Sequence, residues 1–420
     1  MSHRHLPVRP RLDQLQQQAT DLLRGITSGD AVAIEELREH HPEPVQPQSA
    51  TLEDAQLALA RSYGVGNWPR LVLACRLVDA IWLDDVDTIR QMVRERPALL
   101  HEMARGTTAC NWGPPMSYAA NLGRDRIIDA LLELGAVDLE SAFIRATLQS
   151  EIGTARKLYE TAGRPLMPKD AAMGPAEALS AAGMALVLEL GGAITDGKGD
   201  WRGPVALTLE TYSRNREDKH RILELMSDNG IQLPDTAPMD VHRGRIDLVE
   251  RHLRRDSGLL SRTFPRHEIF PPELGCGSDD LSAVCGTPLE GATLLHMCVE
   301  YDEREIADWL LARGMAADTT AAIDEDGFGG HTPLFTAVVS FSHRVWGAHP
   351  TYRGDHFARL LLDSGASPNA RASLRKRDYD DHVLHEHRGV TPLAWGRRYH
   401  DPRCVSEAAM RLVAERGGRL

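Results

Sequence analysis

One short pattern recurs along the chain: apolar residues at i, i+3 and i+4, often closed two or three positions later by glycine. It stands at Ile89/Met92/Val93, Ile128/Leu131/Leu132, Ala155/Leu158/Tyr159, Ile222/Leu225/Met226 and Val249/His252/Leu253. It returns at Ala307/Leu310/Leu311, Ala358/Leu361/Leu362 and Ala409/Leu412/Val413, with a weaker copy at Val187 and Leu190. Such a stripe marks one face of a short helix, and a short helix cannot bury that face alone. The chain must therefore fold as many short helices, each covered by its neighbours in sequence. The intervals are uneven, 27 residues from Ile128 to Ala155 but 51 from Ala307 to Ala358, so the repeat carries insertions. An ordinary bundle of short amphipathic helices would show the same spacing.

Composition narrows the function classes. With 420 residues and 42% hydrophobic content the chain can bury a sizeable core without disulfide or metal support. A formal net charge of -12 argues against coating nucleic acid or an anionic membrane. No run of about 18 apolar residues occurs, so no membrane span is expected. Nothing of signal-peptide character opens the sequence, and the six cysteines are scattered without a CxxC pair. Both point to reduced thiols in a cytoplasm. Cys276, Cys285 and Cys298, with His296 beside the last, are spaced too widely for an ordinary zinc knuckle. Only five lysines stand against 43 arginines, which reads as coding bias rather than chemistry.

Local sequence adds to the spacing. Gly330-His331-Thr332-Pro333-Leu334-Phe335 is followed by Leu360-Leu361-Leu362-Asp363-Ser364-Gly365-Ala366-Ser367-Pro368-Asn369. Gly291-Ala292-Thr293-Leu294-Leu295-His296 precedes Leu310-Leu311-Ala312-Arg313-Gly314, and Gly389-Val390-Thr391-Pro392-Leu393-Ala394 precedes Leu412-Val413-Ala414-Glu415-Arg416-Gly417. Upstream, Met116-Ser117-Tyr118-Ala119-Ala120 leads to Leu131-Leu132-Glu133-Leu134-Gly135-Ala136. These residues resemble the ankyrin repeat. Thr caps a first helix, Pro tolerates the missing amide of its first turn, and Gly ends the second helix in the left-handed region.

The resemblance implies an all-α ankyrin-repeat solenoid of paired antiparallel helices with short hairpin loops. Thr51-Leu52-Glu53-Asp54 opens an earlier helix as a capping box, with Leu52, Ala55 and Leu59 on one face. This segment, running to Trp68, looks like the helical leader ahead of some bacterial ankyrin arrays, where it would cap the exposed apolar end. The expected organisation is a helical N-terminal cap over 1–75, divergent repeats over 76–290 and regular repeats over 291–420. Between 139 and 290 only the second-helix pattern survives.

The regular repeats are interrupted. Gly291 to Gly330 is 39 residues and Gly330 to Gly389 is 59, against about 33 for an ankyrin repeat. The surplus lies in 319–329, 340–353 and 371–388, and a fourth irregular stretch, 264–290, precedes them. Long irregular segments in a compact array are usually functional or mobile. These carry His343, Trp346, His349, Asp381, His382, His385, Glu386 and His387, a concentration that packing does not require. On a strand His385 and His387 would share a face; on a helix Asp381 would approach His385. His385, Glu386 and Asp381 are the candidate catalytic groups, and His343, Trp346, His349, His382 and His387 the candidate ligand-binding ones. A solvated loop tip is the plainer alternative.

No GxSxG, GxGxxG or Walker-type loop occurs, and no cofactor or metal set is assigned. Arg251, Arg254 and Arg255, and the cluster Arg375-Lys376-Arg377, read as solvated edges or ion-pair partners. The resemblance implies a binding scaffold whose concave face takes a protein partner. The alternative is a small-molecule binding protein or a hydrolase- or lyase-type enzyme with its site in the inserted loops. Neither nucleic acid nor a membrane is expected as a partner.

Overall fold

The computed structural model describes residues 4–108, 111–163, 167–343, 354–378 and 382–420. The chain is mostly helical and divides into two compact units, Met1–Pro168 and Lys169–Leu420. Among the described residues no helix is long and apolar enough to cross a membrane.

The first unit opens with α1 (Leu12–Ser28), α2 (Ala31–His40) and α3 (Leu52–Ser62), which pack on one another around Leu15, Ala19, Ile26, Leu37 and Leu59. The Thr51 hydroxyl accepts from the Asp54 amide while Asp54 reaches back to the Thr51 amide, a complete capping box at α3. Ala55 and Leu59 are buried as the stripe requires, but Leu52, in the first turn, is 42% exposed. Next come α4 (Trp68–Trp82), α5 (Val86–Glu95), α6 (Pro115–Ala120), α7 (Asp125–Glu133), α8 (Leu139–Leu148) and α9 (Ile152–Thr161). They pack as α4 on α5, α6 on α7 and α8 on α9, with α4 also on α6, α5 on α7, and α6 on α8. Trp68 packs partly buried against the N-terminal cluster, as core. The Tyr118 hydroxyl ties the irregular leading segment to these helices, donating to the Val8 carbonyl at 2.6 Å and accepting from Trp82 Nε1 at 3.0 Å.

The second unit begins with α10 (Met173–Ala178), α11 (Ala181–Glu189), α12 (Arg202–Glu210), α13 (Arg216–Asp228), α14 (Ala237–His242), α15 (Ile246–Arg255) and the single turn α16 (Arg266–Ile269). It continues with α17 (Leu294–Glu300), α18 (Arg304–Ala312), α19 (Pro333–Val338) and α20 (His356–Asp363). A hairpin of β1 (Ala372–Arg377) and β2 (Leu384–Val390) then leads to α21 (Pro392–Arg398) and α22 (Glu407–Glu415). Helices again pack in sequential pairs, α10 on α11, α12 on α13, α14 on α15, α17 on α18, α19 on α20 and α21 on α22. The shorter partner of each pair also meets the next, α14 on α17, α17 on α19 and α19 on α21, so one core runs through the unit.

Thr293, Thr332 and Thr391 are the N-caps of α17, α19 and α21. Gly314, Gly365 and Gly417 follow α18, α20 and α22 at φ of 94°, 94° and 88°, the left-handed stop that their motif implies. His296 ties neighbouring turns together. Its Nδ1 engages the Thr293 hydroxyl at 2.9 Å, and its Nε2 donates to the His331 carbonyl at 3.0 Å. His331 Nε2 in turn reaches the Pro288 carbonyl at 3.0 Å. Burial holds the His331 imidazole down at about 4, so it is neutral in the fold.

Candidate functional site

Two irregular segments of the second unit, 264–290 and 319–329, meet on the β1–β2 hairpin, which lies within a third. The strands pair antiparallel with Leu374 opposite His387, Arg375 opposite Glu386, Lys376 opposite His385 and Arg377 opposite Leu384. Alternation puts Leu374, Lys376, His385 and His387 on the inward face and Arg375 and Glu386 on the outward one. On β1's far side Gly329 pairs with Ser373, its amide donating to the Ser373 carbonyl at 2.7 Å. The 264–290 segment reaches the same region, the Arg377 amide donating to the Leu281 carbonyl at 3.0 Å.

Lys376 is only 2% exposed. Its ammonium donates to the carbonyls of Asp280 at 3.0 Å and Ala283 at 2.8 Å, and to Cys285 Sγ at 3.4 Å. Burial pushes the Cys285 thiol up to about 11, against the pull of that ammonium. The basic cluster expected at the surface is thus split. Arg375 faces out, bound to Asp324 at 2.7 Å and Asp326 at 2.9 Å, while Lys376 is an internal anchor.

Beneath β2 lies a nest of rings. His385 stacks on His400 with centroids 4.4 Å apart and planes 10° apart. His400 leans on Tyr399 at 4.3 Å, Tyr399 meets Trp395 at 5.0 Å, and Trp395 meets His387 edge-on at 5.6 Å. Burial lowers the pKa of both His387 and His400, with His385 adding to the effect. His387 Nε2 and His400 Nδ1 are buried without a hydrogen-bond partner. Asp378 Oδ2 lies 3.9 Å from His400 Nε2.

Of the residues picked from sequence, His385 and His387 come together here. Glu386 stands on the opposite, exposed face, across from Arg375. His382 is exposed in the turn at φ 61°, its carbonyl accepting from Arg377 Nη1 at 3.1 Å. His343 lies elsewhere, buried after α19 with Nε2 3.2 Å from the Ala337 carbonyl. It lines a cleft of about 10 Å3 with Asp302, Thr336 and Phe357, room for about one water and far below a small-molecule site. Trp346, His349 and Asp381 fall outside the described residues. His400 and Tyr399, just after α21, and Trp395, within it, complete the nest, in a stretch where no insertion draws attention to them.

No family model matches the chain, and no curated protein sequence does. Among solved structures, the ankyrin repeat domain of human ASB11 matches at 15% identity and a TM-score of 0.27, covering 73% of this chain and 99% of that one. At that score the two superpose too loosely to carry an argument.

Proposed function

We propose that this chain is an ankyrin-type solenoid with a helical N-terminal cap, working in a reducing cytoplasm as a scaffold that binds a protein partner through the β1–β2 hairpin and the short helices beside it. The observation that carries this reading is the state of the two hairpin edges. β1 is covered by Gly329, whereas β2 pairs, among the described residues, with β1 alone. Val383 and Leu384 beside that open edge are 50% and 40% exposed. A firmly held strand with one open edge can take an extended segment of another protein by backbone pairing. Cysteines 75, 276, 285 and 298, buried and outside any disulfide, suit a reducing compartment.

The unpartnered nitrogens of His387 and His400 favour a second reading, a small molecule bound against the ring nest. There His385 would be the acid–base group and His387 would contact the ligand, with His343 in its separate cleft taking no part. The outward position of Glu386 lends it less support. The two are separated by placing a photo-crosslinking amino acid at Glu386, with Arg94 on α5 as control, in the organism of origin. The scaffold reading expects a discrete protein adduct at 386, lost in a Val383→Asp/Leu384→Asp background. Equal or absent adducts at both positions would count against it.

A further inference from the structure

We infer that Asp235, Asp240 and His252 form a binding site for a divalent transition-metal ion of the zinc type. Asp240 is on α14 and His252 on α15, and Asp235 lies just ahead of the Thr236 cap of α14. The three ligand atoms all lie within 4.8 Å of one another. His252 Nε2 is 3.1 Å from Asp240 Oδ2 and 3.3 Å from Asp235 Oδ1.

A well-formed hydrogen bond does not account for these contacts. One imidazole nitrogen carries at most one hydrogen, so it can serve two carboxylate oxygens from different residues only as a bent three-centre bond, and neither contact has hydrogen-bond geometry. Asp240 is 1% exposed, and its Oδ2 and His252 Nε2 are both buried without any hydrogen-bond partner. The two distances from His252 match those within a coordination polyhedron. Metal–ligand bonds of about 2.0–2.1 Å in a tetrahedron place neighbouring ligand atoms about 3.3 Å apart.

Charge and access agree with this. Two carboxylates balance a divalent ion, and an imidazole in the set favours zinc-type metals over magnesium or calcium. The Asp235 side chain is 59% exposed, which leaves a path from solvent. Arg251 donates to Asp235 Oδ1 at 2.6 Å, and Arg255 stands 3.8 Å from its other oxygen. Such outer donors orient a ligating carboxylate. Three protein ligands leave a fourth position for water or an exogenous group. His252 occupies an apolar position of the repeat stripe, which is why periodicity alone passes over it.

The test is Co2+ titration of the full chain, followed by visible absorption, with Zn2+ as competitor. One equivalent should give intense four-coordinate d–d bands without the near-ultraviolet sulfur charge transfer that cysteine binding would add. Zn2+ should erase them. His252→Gln should lose that equivalent, and Asp240→Asn, nearly isosteric, should do the same. If Asp240→Asn fails to fold by circular dichroism, His252→Gln decides alone. Uptake unchanged in His252→Gln, a thiolate band, or no uptake by the unaltered chain would each overturn the site.

Discussion

The Lys376 ammonium, near the end of β1, lies 3.4 Å from the sulfur of Cys285, a residue 91 positions earlier in the chain. With the carbonyls of Asp280 and Ala283 it completes a three-acceptor socket that fastens the hairpin to the 264–290 segment. In a chain with 43 arginines and five lysines, a lysine here suits a compact, three-donor head that a planar guanidinium would not match.

Replacing Lys376 with Met should therefore leave two buried carbonyls without a donor and destabilise the second unit by about 2 kcal/mol or more. Lys376→Arg should also destabilise. Urea unfolding followed by circular dichroism checks both, and midpoints equal to the parent would contradict the socket.

Arg214 and Glu300 form an ion pair at 2.8 Å, with side chains 2% and 0% exposed. Arg214 also donates to the carbonyls of Thr211, Ser213 and Val284. Removing one partner leaves a buried charge, so Glu300→Ala should cost about 3–5 kcal/mol. Replacement of both by apolar residues should cost less than Glu300→Ala alone. A double-mutant cycle measures this.

Acid should weaken the second unit through His331. Its imidazole is held at about 4 in the fold against an ordinary 6.5 when unfolded. Between these values the unfolded chain binds the proton and the folded chain does not, so stability falls as pH drops from about 6.5 towards 4. His331→Gln should flatten that slope in urea midpoints taken across the window. An unchanged slope would assign it to other groups, among them His296, which burial also lowers.

Tyr118→Phe should release the residues around Val8, since it removes a hydroxyl that serves both Val8 and Trp82. A cost of about 1–3 kcal/mol is expected, with faster amide exchange confined to the start of the first unit.

The parts legible in sequence are those set by local rules. Thr51, Thr293, Thr332 and Thr391 declare their helices because a cap acts within three residues. Leu52 misled because its period fits the stripe while its place in the first turn leaves it in solvent. The segment 382–387 was open between strand and helix. Cross-strand pairing with 374–377 decided it, and no local signal carries that. Lys376 reads as a solvated charge because its three acceptors lie more than 90 residues away. His400 gave no signal, since its stacking on His385 exists only once the hairpin folds over α21.

The most direct test of the account is amide exchange by mass spectrometry on the full chain, alone and with the protein captured by crosslinking at 386. The account predicts that β1 exchanges slowly in both states and that 383–390 slows sharply on binding. Unchanged exchange in 383–390, with new protection confined to the helices between 139 and 260, would contradict it.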